Sequence, residues 1–117
     1  MNQWDIWVVK QQYARKLLSP PQPNDPSNYD RMYVVTANPA GRKTVICCPI
    51  QNSDYGVALT EVPLKRGYGI CITKDCKIVC HDIFTLPIQF FERKVGFLRP
   101  DEQEQVQTAL ISVFDLI

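Results

Sequence analysis

The 117-residue sequence has one histidine, five glycines and no basic residue beyond Arg99. A single histidine excludes the paired-histidine metal centres of zinc hydrolases. No glycine-rich phosphate cradle and no GxSxG nucleophile elbow occurs, so nucleotide-loop and serine-hydrolase chemistry is excluded as well. No apolar run approaches the roughly 18 residues of a membrane-spanning helix, so no membrane partner is expected. The opening Met1-Asn2-Gln3-Trp4-Asp5 lacks the basic-then-apolar layout of a signal peptide, and a cytoplasmic protein is expected. A net charge of +1 is too small for a chain that coats polyanions over its whole surface.

What is present fits a single domain over residues 1–117, long enough for one core and too short for two. Hydrophobic residues make up 45% and charged residues 21%, which argues against wholesale disorder. Five cysteines, an odd number in a chain expected to be cytoplasmic, speak against a disulfide framework. Cys47 and Cys48 are adjacent and face opposite sides if they lie on a strand. Cys71, Cys76 and Cys80 are spaced by five and four, which matches no zinc pattern. A metal site on Cys76, Cys80 and His81 is the lesser reading; buried, reduced thiols are the better one, and no metal or cofactor is assigned. Charge is unevenly spread: residues 1–99 carry all 13 Lys and Arg against 8 acids, whereas residues 100–117 carry four acids and no base.

The pattern predicts strands over residues 4–9, 32–37, 44–50, 59–64, 68–73 and 77–83. Residues 11–18 read either as a strand extension or as a helical turn. Residues 19–28 hold four prolines and form the clearest loop, since proline is excluded from helix interiors and central strands. A loop of that length in a small domain is either functional or a plain connector. Asn38-Pro39-Ala40-Gly41 is a turn, with Pro fixing φ and Gly accepting a positive one. Residues 87–92, led by Pro87, suit a short helix, and a Gly-marked strand follows. From Pro100 a closing helix runs to the terminus. Asp101, Glu102 and Glu104 lie at the positive end of its dipole, and Val106, Ala109, Leu110, Val113 and Ile117 share one face. Short strands followed by one helix give a mainly β, α+β domain.

With stronger motifs absent, the chemistry left is metal-free acid–base catalysis. RNA cleavage needs a base for the 2′-hydroxyl proton, an acid for the leaving oxygen and a cation for the phosphorane. His81, Asp82 and Arg31 are residue types that meet those needs. Arg42, Lys43, Lys65 and Arg66 sit at turns, where RNA-backbone contact competes with plain solvation. Trp4, Trp7 and Phe114 read as core or interface residues rather than base-stacking platforms.

Four segments in order resemble one family. Asp5-Ile6-Trp7-Val8-Val9 resembles the opening "GDIWLV" strand of the PemK/MazF toxins, the ribonucleases of toxin–antitoxin pairs. Asp30-Arg31, leading into Tyr33-Val34-Val35-Thr36, resembles their "RPvlVvS" strand. Val45-Ile46-Cys47-Cys48-Pro49-Ile50 resembles "VvvvPiT", and Val79-Cys80-His81-Asp82-Ile83-Phe84-Thr85-Leu86 resembles "V.cDqirtid". The resemblance implies an SH3-like, CcdB-like small β-barrel with a C-terminal helix, and a homodimer. It implies metal-independent cleavage of single-stranded RNA to 2′,3′-cyclic phosphate and 5′-hydroxyl ends, and a cognate antitoxin that blocks the RNA groove. Carried over by position, Arg31 matches the family's active-site arginine, with Met32 in place of the adjacent proline. The family's Thr or Ser falls on Gln51, whose amide can donate to a phosphate. The Arg and Asp of the plasmid-borne branch fall on Val79 and His81, or the Asp on Asp82 after a one-residue shift. Two other classes are weighed against the ribonuclease. One is a gyrase poison of the same fold, which would need a C-terminal Trp-Gly-Ile where this chain has Asp115-Leu116-Ile117; the other is an interaction domain that has lost catalysis.

Overall fold

A computed structural model describes residues 1–13, 32–53, 56–65 and 75–115. Within them the chain forms β1 (Asp5–Val9), β2 (Met32–Ala37), β3 (Thr44–Asn52), β4 (Glu61–Leu64) and β5 (Cys76–Val79), then β6 (Phe84–Pro87), β7 (Phe91–Phe97) and α1 (Pro100–Asp115). The strand path is β4-β5-β3-β2-β1-β7, all antiparallel, with β6 also paired to β3. The expected mainly β domain with a closing helix is observed. Among the described residues the curled sheet has free edges at β4 and β7, so its barrel is an open one.

Strands β2 and β3 are apolar on both faces, and both faces are covered. Alternate residues Met32, Val34, Cys48 and Ile50 join Ile6, Val8, Ile78 and Leu98 under Val106 and Ala109 of α1. Their neighbours Tyr33, Val35, Val45 and Cys47 join Val9, Leu86 and Phe91 on the other side. The period-2 pleat sends Cys47 and Cys48 into different cores, as the sequence implies. Aromatic edges fill the second core: Tyr33 meets Phe84 at 5.8 Å and Phe91 at 6.5 Å between ring centroids, both nearly perpendicular. Burial pushes the Cys47 thiol up to about 12, so it stays protonated and inert at neutral pH.

Several boundaries differ from the sequence reading, three of them for a visible reason. Trp4 does not open β1: its φ of 73° is left-handed, its N–H donates to the Val35 carbonyl at 2.6 Å and its carbonyl accepts from Leu98 at 2.9 Å. The strand expected over 77–83 stops at Val79, because the chain turns there and the Asp82 amide donates back to the Val79 carbonyl at 3.3 Å. The chain then restarts as β6. The helix expected over 87–92 shrinks to one 3-10 turn, Ile88–Phe90, since Phe91 must extend to pair with Val9 and bury its ring. The strand expected over 59–64 begins at Glu61. Residues 11–13 are helical, whereas the proline loop at 19–28 and the strand expected over 68–73 lie outside the described residues.

Within α1, Glu102 is 8% exposed and its Oε2 has no hydrogen-bond partner among the described residues. Burial and the adjoining Asp101 carboxyl hold its pKa above the ordinary carboxylate value. The folded state therefore binds this proton more tightly than the unfolded chain. That contribution is complete at low pH and is lost as pH rises through the folded pKa, leaving ionised Glu102 destabilising at neutral pH. Glu102→Gln is expected to add about 1 kcal/mol at pH 7, or roughly 4 °C in Tm. Thermal melts from pH 7 down to pH 3 should show that gain disappear.

Candidate active site

The β5 exit and the segment before β4 come together at one corner of the sheet. Glu61 pairs with Val79 in the β4–β5 register, and the Cys80–Thr60 backbone bond extends that contact by one step. His81 follows, exposed, with its Nδ1 2.7 Å from Thr60 Oγ1. Among the described residues nothing bonds to its Nε2. Asp82 is half-buried, and its amide closes the turn onto the Val79 carbonyl at 3.3 Å.

Behind this corner lies a buried ion pair. Lys77 Nζ is 3.0 Å from Glu61 Oε2 and 3.1 Å from Oε1, with side-chain exposures of 15% and 7%. The ammonium also donates to the Gly56 carbonyl at 3.2 Å, and the Ala58 amide donates to Glu61 Oε1 at 2.6 Å. Burial by itself would raise the Glu61 pKa. The Ala58 amide, the Lys77 ammonium and, more weakly, His81 outweigh it, so Glu61 is held below the usual carboxylate range. These bonds pin residues 56–61, the segment that carries Thr60, to β5. Nothing in the residue order signals this, because Thr60, Glu61 and Lys77 read as ordinary strand residues. Only the β4–β5 register makes them neighbours.

Of the expected site residues, His81 and Asp82 share this corner. Gln51 stands opposite Lys77 in the β3–β5 register, whereas His81 lies in the turn beyond the end of β5. Arg31 and Arg66 lie outside the described residues. Arg42 and Lys43 are exposed at the turn that enters β3, and Lys65 is exposed just past β4, beside the far end of β3. Among the described residues, Arg42 and Lys43 thus stand toward the opposite end of β3 from Lys65. An open groove of about 480 Å³ runs between β4 and α1, and Glu61, Asp101 and Glu104 line it without a base. Its charge disfavours a phosphate backbone. Among the described residues no three His, Cys, Asp or Glu side chains are grouped to hold a metal ion.

Comparison with known proteins bears on the fold and the family. The family model described as PemK-like, MazF-like toxin of type II toxin–antitoxin system matches residues 2–114. Among curated proteins none matches the sequence. The fold is similar to that of the Mycobacterium tuberculosis toxin MazF-mt6, with a TM-score of 0.68 at 18% identity over 95% of this chain and 96% of that one. A mycobacterial endoribonuclease solved in complex with its cognate antitoxin superposes with a TM-score of 0.69 at 12% identity, covering 100% of this chain and 97% of that one. A chain of the MazE–MazF complex from Deinococcus radiodurans gives 0.64 at 15% identity, covering 97% and 94%.

Proposed function

The chain belongs to the PemK/MazF-like family of type II toxin–antitoxin toxins, and from that premise we propose that it is a metal-independent endoribonuclease. Its substrate in this reading is single-stranded RNA, cut to 2′,3′-cyclic phosphate and 5′-hydroxyl ends. The observation that carries the reading is His81: an exposed imidazole, held by Nδ1 and open at Nε2, at the turn where the family's acidic catalytic position falls.

In this scheme the Asp82 carboxylate takes the 2′-hydroxyl proton as the 2′-oxygen attacks phosphorus. His81 gives its Nε2 proton to the 5′-oxygen as the P–O5′ bond breaks. Arg31 offsets the charge that builds on the phosphorane. Gln51, further along the sheet, donates its amide to a flanking phosphate, and Arg42, Lys43, Lys65 and Arg66 contact the RNA backbone at its ends. Two solved relatives contain an antitoxin, which supports a cognate antitoxin as partner here. Ile111 and Phe114 of α1, 63% and 62% exposed, suit self-association into a homodimer.

The test is incubation of antitoxin-free protein with a long RNA in EDTA, followed by mapping of the cut ends. Discrete cuts with cyclic-phosphate ends, abolished in Arg31→Ala, are the expected outcome. Intact RNA at high protein concentration would sink the proposal and leave the non-catalytic binding domain in its place.

A further inference from the structure

We propose that Thr60 is the positioning residue of the active site: its hydroxyl accepts a hydrogen bond from His81 Nδ1–H and so leaves Nε2 to exchange the proton. The inference rests on the ribonuclease reading and adds a positioning residue to it. The contact is short, 2.7 Å. It is also anchored on both sides. Thr60 receives the Cys80 amide on its own carbonyl, so backbone and side chain tie the same two segments together. The segment leading into Thr60 is itself fixed, because Lys77 bridges the Gly56 carbonyl and the Glu61 carboxylate while the Ala58 amide holds Glu61 from the other side.

The chemistry needs such a partner. An exposed imidazole with no fixed contact rotates freely and divides its neutral form between two tautomers, only one of which has its lone pair at a given nitrogen. A hydroxyl that accepts from Nδ1–H selects the tautomer with the lone pair at Nε2, and it keeps the same bond when Nε2 is protonated. One bond therefore serves both protonation states of the catalytic cycle, and the ring does not turn between them. Among the described residues, the charged groups around the pair are Glu61, neutralised by Lys77, and Asp82 on the turn itself. The hydroxyl, being uncharged, fixes the ring without adding charge beside a phosphate.

His81 is the only histidine of the chain, so its ring nitrogens give one unambiguous set of signals in long-range proton–nitrogen NMR of the intact protein. The wild type is expected to show the Nδ1–H tautomer above neutral pH. Thr60→Val should shift the neutral ring toward Nε2–H, and Thr60→Ser should keep it as in the wild type. In RNA cleavage Thr60→Val is expected to lower kcat about 10-fold with KM changed less than about twofold, and Thr60→Ser to restore kcat. Thermal melts of each variant verify that the fold is retained. An Nε2–H tautomer in the wild type, or an equal kcat in Thr60→Val, overturns the positioning role while leaving the ribonuclease reading intact. A wild type that shows the Nδ1–H tautomer but cuts no RNA overturns the ribonuclease reading, and the role of Thr60 in catalysis falls with it.

Discussion

Replacing His81 by alanine is expected to slow RNA cleavage by about 10²- to 10⁴-fold, the usual contribution of a positioned acid or base. The loss should fall on kcat, because an exposed imidazole that moves a proton in the transition state adds little to binding of the ground state. Stability should hardly change: His81 is exposed at a turn, and substitutions at such positions shift stability by less than about 0.5 kcal/mol. Single-turnover cleavage, paired with binding of a 2′-O-methyl RNA that cannot be cut, separates the two effects. Equal cleavage by His81→Ala and wild type would move the proton transfer to another residue.

The second large effect is structural. Leu98→Ala is expected to cost about 3–4 kcal/mol, in the range of buried leucines cut back to alanine, and so to lower Tm by roughly 10 °C or more. Leu98 is 0% exposed and stands where the sheet hands over to the helix. Its amide donates to the Trp4 carbonyl at 2.9 Å, its carbonyl accepts from Gln103 Nε2 at 2.9 Å, and its side chain lies in the core that Val106 and Ala109 close. A cavity term adds to the transfer term wherever the surrounding side chains relax only in part. Leu59→Ala removes the same atoms from a side chain that is 87% exposed and should change stability by less than about 0.5 kcal/mol. Urea denaturation of the two variants makes the comparison. Similar midpoints would show that α1 does not depend on the Leu98 contact.

Most of the fold was legible in the residue order because it rests on local rules. Strand β2 lies over the expected residues 32–37, since its apolar run is flanked by an unambiguous Pro–Gly turn. The start of α1 at Pro100 followed from a helix-compatible proline and acids at the positive dipole end. The misplaced boundaries were at Trp4, held by Val35 and Leu98, at Val79, where the Asp82 amide closes a turn, and at Phe91, which pairs with Val9. Spacing along the chain carries no information about these contacts.

The site divides in the same way. The sequence by itself determined the family, through four ordered segments and a closing helix, and it singled out His81 as the one side chain suited to neutral-pH proton transfer. It also determined that Cys47 and Cys48 face apart, because the pleat alternates whatever surrounds it. Only the tertiary structure decided that His81 has Thr60 as its partner and that Lys77 and Glu61 brace the segment carrying it. Likewise, it alone set Gln51 opposite Lys77 and buried Leu98 while leaving Leu59 in water. Each of these depends on strand register between residues at least 16 apart in the chain, or on which face a helix covers. Periodicity says that a residue has a face, and packing says what that face meets.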